Sequence, residues 1–145
     1  MPGPEFVGAD VPKGGVMPSW EDLASFVRNN FGVAVDQEDN LGLVFKFDDD
    51  RTQYVGITRF EAFDGDWFEL KSTVCPAAEM SHTEALRKNA SFALGALALV
   101  GEEIVLMCNG PLATLDIEDF KRSLHVLAGT ADQLEKEFAS ESDAN

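Results

Sequence analysis

Positive charge is scarce in this chain of 145 residues, since 11 Lys and Arg residues stand against 26 Asp and Glu residues and give a net charge of −15 at pH 7. Such a chain repels the phosphates of nucleic acids and the headgroups of anionic lipids, and no basic stripe offsets the charge locally. We therefore expect neither nucleic acid nor membrane among its partners.

Cysteine is also scarce, at two residues. Two cysteines are too few for a disulfide framework and are typical of a reducing cytosol. Cys75 and Cys108 form no C-x-x-C motif, so we expect buried thiols rather than a reactive pair. No apolar run approaches the ~18 residues of a membrane span, and no basic-then-apolar signal opens the chain. The sequence thus predicts a cytoplasmic protein.

Catalytic and metal-binding motifs are absent from the sequence, which contains no G-x-S-x-G, P-loop, dinucleotide fingerprint or H-E-x-x-H. His82 and His125 have no metal-ligating partner at a useful spacing. The acidic stretch 36–40 is similar to the start of a calcium loop, but its glycine comes only at Gly42 and no Glu follows at the required distance. We predict that the chain is not an enzyme and has no cofactor and no metal site.

The chain does contain enough apolar residues for a core, because 45% of it is hydrophobic and 26% is charged. Residues 1–18 are rich in Pro and Gly and predict a flexible leader. Residues 139–145 are small, polar and acidic, and they predict a disordered tail. A single domain is therefore expected over 19–138.

Helix signals occur at three places. Ser19 is suited to cap a first helix. The capping box that starts at Ser81 opens a second helix, which we expect to run to about Val100. Asp116 opens a third helix whose apolar residues follow a three–four spacing. Those residues are Ile117, Phe120, Leu124, Leu127, Ala131, Leu134 and Phe138.

Alternating apolar residues predict five strands. They span 41–48, 52–63, 66–75, 104–108 and 111–115. Asp64–Gly65 and Asn109–Gly110 are typical of hairpin turns. The predicted order is α-β-β-β-α-β-β-α. We expect an α+β fold with a mostly antiparallel five-stranded sheet and helices packed mainly on one face.

The predicted sheet carries more apolar surface than one core needs. The face that bears Phe45 and Leu70 can pack on the helices. The opposite face is the candidate partner-binding surface, formed by Val44, Tyr54, Phe60 and Trp67. Two interpretations stay open at this point. In the first, the first helix covers these side chains or they are ordinary, scattered exposed residues. In the second, they form an aromatic patch that binds another chain.

Several segments within 66–138 carry a resemblance to a known family. They are Trp67–Leu70, Asn89 with the small residues after it, Glu103–Leu106, Leu115–Phe120 and Thr130–Leu134. The last two are similar to the "L-x-x-E-x-F/L" helix start and the "A-D-x-L" ending of the YbjN family. Together with the element order, the small size and the acidic charge, they make the chain resemble this family within the type III secretion chaperone-like fold.

The resemblance implies a binding protein. The YbjN family is described as bacterial sensory transduction regulators, and secretion chaperones of the same fold are acidic homodimers that hold unfolded segments on apolar grooves. By resemblance we expect a homodimer with a protein or peptide client. The matching motifs carry no catalytic residue, so none transfers to this chain.

We therefore expect a non-enzymatic protein-binding module, chaperone-like or regulatory, in which apolar surface gives affinity and charge steers basic clients. An extended peptide would add to a sheet edge near Pro111–Leu115. The alternative is a small-ligand-binding protein or an enzyme with Glu69 or Asp66 at a sheet–helix pocket. A weaker option is an acidic mimic that covers the basic surface of a nucleic-acid-binding protein.

Overall fold

The computed structural model describes residues 19–139. The predicted leader, 1–18, and residues 140–145 of the predicted tail lie outside the described residues. The helices are α1 (Trp20–Asn30), α2 (His82–Asn89) and α3 (Ile117–Phe138). The strands are β1 (Val33–Asp36), β2 (Asn40–Lys46), β3 (Thr52–Ala62), β4 (Gly65–Pro76), β5 (Ala96–Val100) and β6 (Glu103–Pro111).

The strands form one antiparallel sheet in the order β1-β2-β3-β4-β6-β5. The α+β class and the antiparallel sheet are confirmed, but the sheet has six strands where five were predicted. The strands that the prediction missed are β5, which it placed in a helix, and β1. The four residues of β1 are too few for an alternation to stand out, and its pairing with β2 shifts register between Val33 and Val35.

The second predicted helix is too long. α2 ends at Asn89, and Ala96–Val100, which was expected to continue it, is strand β5. Gly95 with φ +86° and Gly101 with φ +60° bracket this strand in backbone conformations that glycine adopts without strain. An uncharged run of Ala and Leu favours neither the helical period nor the strand period, so pairing with β6 decides its structure.

Asn109–Gly110 is not a turn, because both residues lie within β6 and pair with β4. Here glycine permits a close approach: the ring of Phe68 lies 3.1 Å from the position that a Cβ of Gly110 would take. The predicted strand 111–115 is also wrong, since β6 ends at Pro111. The strands at the two edges of the described sheet are β1 and β5.

The core lies between one face of the sheet and the helices. The spacing predicted for α3 is confirmed, because Phe120, Leu124, Leu127, Ala131 and Leu134 are all buried. Helix α1 contributes Leu23 and Val27, and the sheet contributes Leu41, Leu43, Val55, Ile57, Phe68, Leu70 and Leu106. None of the described helices is long and apolar enough to cross a membrane.

Both thiols are free, and Cys75 is buried as predicted while Cys108 is only partly buried. Burial raises the pKa of the Cys108 thiol to about 11. The pKa of Cys75 is also raised, chiefly by burial and secondarily by the charge of Glu79. A thiol with a raised pKa is a weak nucleophile at neutral pH, so neither cysteine has the character of a reactive site.

Candidate protein-binding surface

The face of the sheet turned away from the core carries all four predicted partner-binding residues. Val44 lies directly opposite Tyr54, and Phe60 lies directly opposite Trp67. Val44 and Tyr54 are exposed, and Phe60 and Trp67 are half-buried. Helix α1 packs on the other face of the sheet, so the interpretation in which it covers these side chains is wrong.

The four residues form two separate pairs rather than one patch. Tyr54 and Phe60 are at opposite ends of β3, with Gly56 and Thr58 between them on the same face. The stretch between the pairs is an open depression of about 410 Å³. It is lined by Asn40, Tyr54, Gly56, Thr58, Lys71 and Thr73. The outer face thus presents aromatic, polar and aromatic surface in turn along β3.

The position of the Tyr54 ring depends on a glycine in the neighbouring strand. The ring lies over Gly42 of β2, in the space that a Cβ there would occupy. Glycine at this position therefore lets the aromatic ring lie flat across two strands, as aromatic side chains do over glycines in sheets.

A third aromatic residue, Phe63, completes the pair at the other end of β3. The ring centroid of Trp67 is 6.0 Å from that of Phe60 and 5.8 Å from that of Phe63. The indole Nε1 of Trp67 donates a 2.9 Å hydrogen bond to the carbonyl of Ala62 and so fixes the ring. We call Phe60, Phe63 and Trp67 the hairpin cluster.

Phe63 occupies an unusual backbone position. Ala62 pairs with Gly65, so the β3–β4 turn consists of Phe63 and Asp64, one residue earlier than the predicted Asp64–Gly65. Both have positive φ, +49° and +61°, as a type I′ turn requires. Such turns favour Asn and Gly, and a bulky residue there is strained. The strained Phe63 side chain is nevertheless 89% exposed.

Sequence reasoning missed Phe63 because the assigned turn was displaced by one residue. An aromatic residue directly before Asp64–Gly65 was the available signal. Only the strand register shows that Phe63 lies at the turn and that its ring contacts Trp67.

Carboxylates gather around Arg59 on the face of the β3–β4 hairpin opposite the hairpin cluster. Arg59, the arginine of this hairpin, contacts Asp66 at 2.8 Å and lies 3.9 Å from both Asp39 and Glu61. The hydrogen bond to Asp66 raises the pKa of Arg59. Since this one cation faces three carboxylates, the end of the hairpin keeps an acidic character on the face opposite the cluster.

The two carboxylates predicted for a small-ligand pocket lie apart. Asp66 lines a polar depression of about 490 Å³ beneath α1, where it pairs with Arg59. Glu69 is on the outer face of β4, 3.8 Å from Lys71. In the same depression Arg28 contacts both carboxylate oxygens of Asp36. Within residues 19–139 no group of three or more His, Cys, Asp and Glu side chains could hold a metal ion.

No family model matches the chain, and no curated protein matches it. The resemblance to the YbjN family therefore stays a prediction.

Proposed function

We propose that this chain is a non-enzymatic protein-binding module, chaperone-like or regulatory, that presents its outer sheet face to a segment of another protein. The observation that carries the proposal is Phe63, whose aromatic ring is exposed at a turn that disfavours phenylalanine. Strained residues persist where the surrounding structure holds them and are concentrated at binding sites. A partner that covers the ring would account for its retention.

The hairpin cluster supplies the apolar part of the contact. Covering one phenylalanine ring that was exposed contributes on the order of 2 kcal/mol to binding. Trp67 is held in place by its hydrogen bond to Ala62, so little side-chain freedom is lost when a partner packs against it. Rigid aromatic residues of this kind are the usual anchors of protein interfaces.

Charge selects the partner. With a net charge of −15, the chain repels acidic proteins and attracts basic ones. Asp64, which follows Phe63 at the turn, is exposed, and Glu61 is highly exposed on the other face of the hairpin. We therefore propose a partner segment in which Lys or Arg residues are interspersed with apolar residues, so that cations reach the carboxylates and can also lie over the rings.

A displayed library of random peptides tests this proposal. We expect the selection to enrich peptides that combine basic and apolar residues. Fluorescence anisotropy then measures the affinity of a selected peptide. This affinity should fall at least about tenfold in Phe63→Ala and in Trp67→Ala. Val126→Ala is the matched control, because it removes an exposed apolar side chain from α3. Equal binding to all four proteins, or enrichment of acidic peptides, would reject the proposal.

The predicted homodimer is a separate proposal, which sedimentation of the full chain measures directly. A monomer would remove the homodimer and would leave the proposed peptide contact in place, since the hairpin cluster lies within one chain.

A further inference from the structure

Strand β5 forms an edge of the sheet and lacks the usual protection of an edge. Its sequence, Ala-Leu-Ala-Leu-Val, has no charge and no proline, and its pairing with β6 runs without a register shift. Exposed edges of this kind attract further strands, and natural proteins blunt them with charges, prolines or bulges. The opposite edge strand, β1, shows such features: it is four residues long, has a register shift, and carries the Asp36–Arg28 ion pair.

Asn89, the last residue of α2, takes the place of a neighbouring strand beside β5. Its Oδ1 accepts a 2.6 Å hydrogen bond from the Leu97 N–H, and its Nδ2 donates a 3.2 Å hydrogen bond to the Leu97 carbonyl. Both backbone groups of Leu97 therefore point away from β6. The Asn89 amide makes the two contacts that the N–H and carbonyl of the opposite residue in an added antiparallel strand would make.

The backbone groups of Leu99 lie on the same open edge of β5 as those of Leu97. Residues two apart in a strand direct their backbone groups to the same side, so the N–H and carbonyl of Leu99 also point away from β6. The Asn89 side chain covers Leu97, and Leu99 lies two residues further along the same edge. A strand that displaced the Asn89 amide would gain a continuous edge.

The side chains beside this edge are apolar and exposed. A cavity of about 180 Å³ lies between α2 and β5 and is lined by His82, Ala85, Leu86, Asn89, Leu97, Ala98, Leu99 and Ile104. Leu86 is 70% exposed and Leu99 is 51% exposed. A strand lying between α2 and β5 would cover both leucines, so side-chain contacts would add to backbone pairing.

We propose that β5 and α2 form a strand-acceptor site in which the Asn89 amide is a displaceable placeholder. The occupant is an extended, apolar segment of another protein with basic residues at its flanks. Exchanging the amide for the backbone of an added strand restores the two hydrogen bonds of Leu97, so displacement costs about one net hydrogen bond, that of releasing the Asn89 side chain. Glu102 and Glu103 at the β5–β6 turn favour a basic flank.

The probe is a fluorescent synthetic peptide with the sequence of β5 between flanking lysines. Its control is methylated at the backbone nitrogens of the central alanine and of the leucine that follows it, so it keeps the same side chains and charge but lacks a central donor on both edges and cannot pair as a strand. We expect the full chain to bind the first peptide and not the second. Protection of the Leu99 amide from hydrogen exchange by the first peptide supports the site. Equal binding of both peptides shows that charge alone attracts them and overturns the proposal.

Two variants test the proposed mechanism. Asn89→Ala removes the placeholder. Peptide binding should tighten about tenfold, because the peptide no longer has to displace the side-chain amide, which costs about one net hydrogen bond. Asn30→Ala is the matched control, because Asn30 ends α1 and donates to the Phe26 carbonyl away from the β5 edge. Unchanged affinity in Asn89→Ala overturns the proposal, and so does self-association of Asn89→Ala without peptide, which would make a second copy the occupant.

Leu99→Pro keeps the test decisive if Asn89→Ala fails to fold. Proline removes an N–H that points away from β6, so the pairing of β5 with β6 is retained while the edge loses a donor. We expect loss of peptide binding. Undiminished binding to Leu99→Pro would overturn the proposal. This test uses neither Phe63 nor Trp67, so its failure leaves the proposed role of the hairpin cluster untouched.

Discussion

The guanidinium of Arg51 joins the β2–β3 turn to the end of α3 through Asp132. Arg51 Nε donates to Asp132 Oδ1 at 2.9 Å, and Arg51 Nη2 donates to Glu135 at 2.7 Å. Asp132 is buried. Beside this pair, Lys136 contacts Asp49 at 2.8 Å, which lowers the pKa of Asp49 and raises that of Lys136. Charges from one turn thus hold the last two turns of α3 against the sheet.

Replacement of Arg51 by alanine should destabilise the protein strongly. It leaves the buried Asp132 carboxylate without its closest cation, which costs up to about 3–5 kcal/mol in buried pairs. The actual loss should be smaller, because Lys136 stays 3.8 Å from Asp132. Arg122→Ala, which breaks an exposed 2.8 Å pair with Asp119, should cost no more than about 1 kcal/mol. Urea unfolding of both variants measures the difference, and equal losses would contradict the structural role of Arg51.

Replacement of Gly42 by alanine should displace the Tyr54 ring, because the new methyl group overlaps it, and should cost no more than about 1 kcal/mol, because the ring is the exposed end of a side chain that can turn away. Gly56→Ala is the control, since a Cβ there meets its neighbours at 3.8 Å, an ordinary contact. A double-mutant cycle with Tyr54→Ala measures the coupling. We expect the double variant to be more stable than the sum of the single effects predicts, and strictly additive effects would show that the two residues are independent.

Phe63 gives a prediction that separates strain from binding. Phe63→Asn and Phe63→Ala both remove the ring, so both should lose the peptide contact proposed for the hairpin cluster. Asn tolerates positive φ and Ala does not, so Phe63→Asn should be more stable than Phe63→Ala by about 1 kcal/mol. Thermal unfolding measures this difference. Equal stability of the two variants would contradict the type I′ turn.

The raised pKa of Cys108 predicts that the folded protein loses stability at alkaline pH. Its pKa is about 11 in the folded chain against an ordinary value of 9.0, so the folded state favours the protonated thiol. The resulting stabilisation is fully present below about pH 9 and is lost as the pH rises through about 11. We expect the difference in unfolding free energy between the native chain and Cys108→Ala to shrink over this interval. A constant difference between pH 8 and pH 11 would contradict the prediction.

Much of the fold follows from short-range signals in the sequence. Ser19, Ser81 and Asp116 each accept a hydrogen bond from the first turn of the helix they cap, as predicted. The three–four spacing in α3 identified the buried side of that helix, and alternation in β2 and β4 identified the inner face of the sheet. These signals suffice because capping and amphipathic burial depend on residues only a few positions apart.

Other features were settled only by contacts between distant residues. The run Ala96–Val100 lacks a distinctive period and became a strand because β6 pairs with it. The register of β3 against β4 sets the turn at Phe63 and Asp64, one residue before the predicted position, and so places Phe63 beside Trp67. The amide of Asn89 became the neighbour of Leu97 because the chain reverses between α2 and β5.

The sequence by itself therefore determined the fold class, the helix caps, the buried faces and the four outer-face residues Val44, Tyr54, Phe60 and Trp67. The tertiary structure alone decided that these four residues form two pairs, that Phe63 joins one of them, and which strands form the edges of the sheet. The physical reason is that strand register and edge position are properties of pairing between segments far apart in the chain. Local propensity does not determine which distant segment pairs with a given strand.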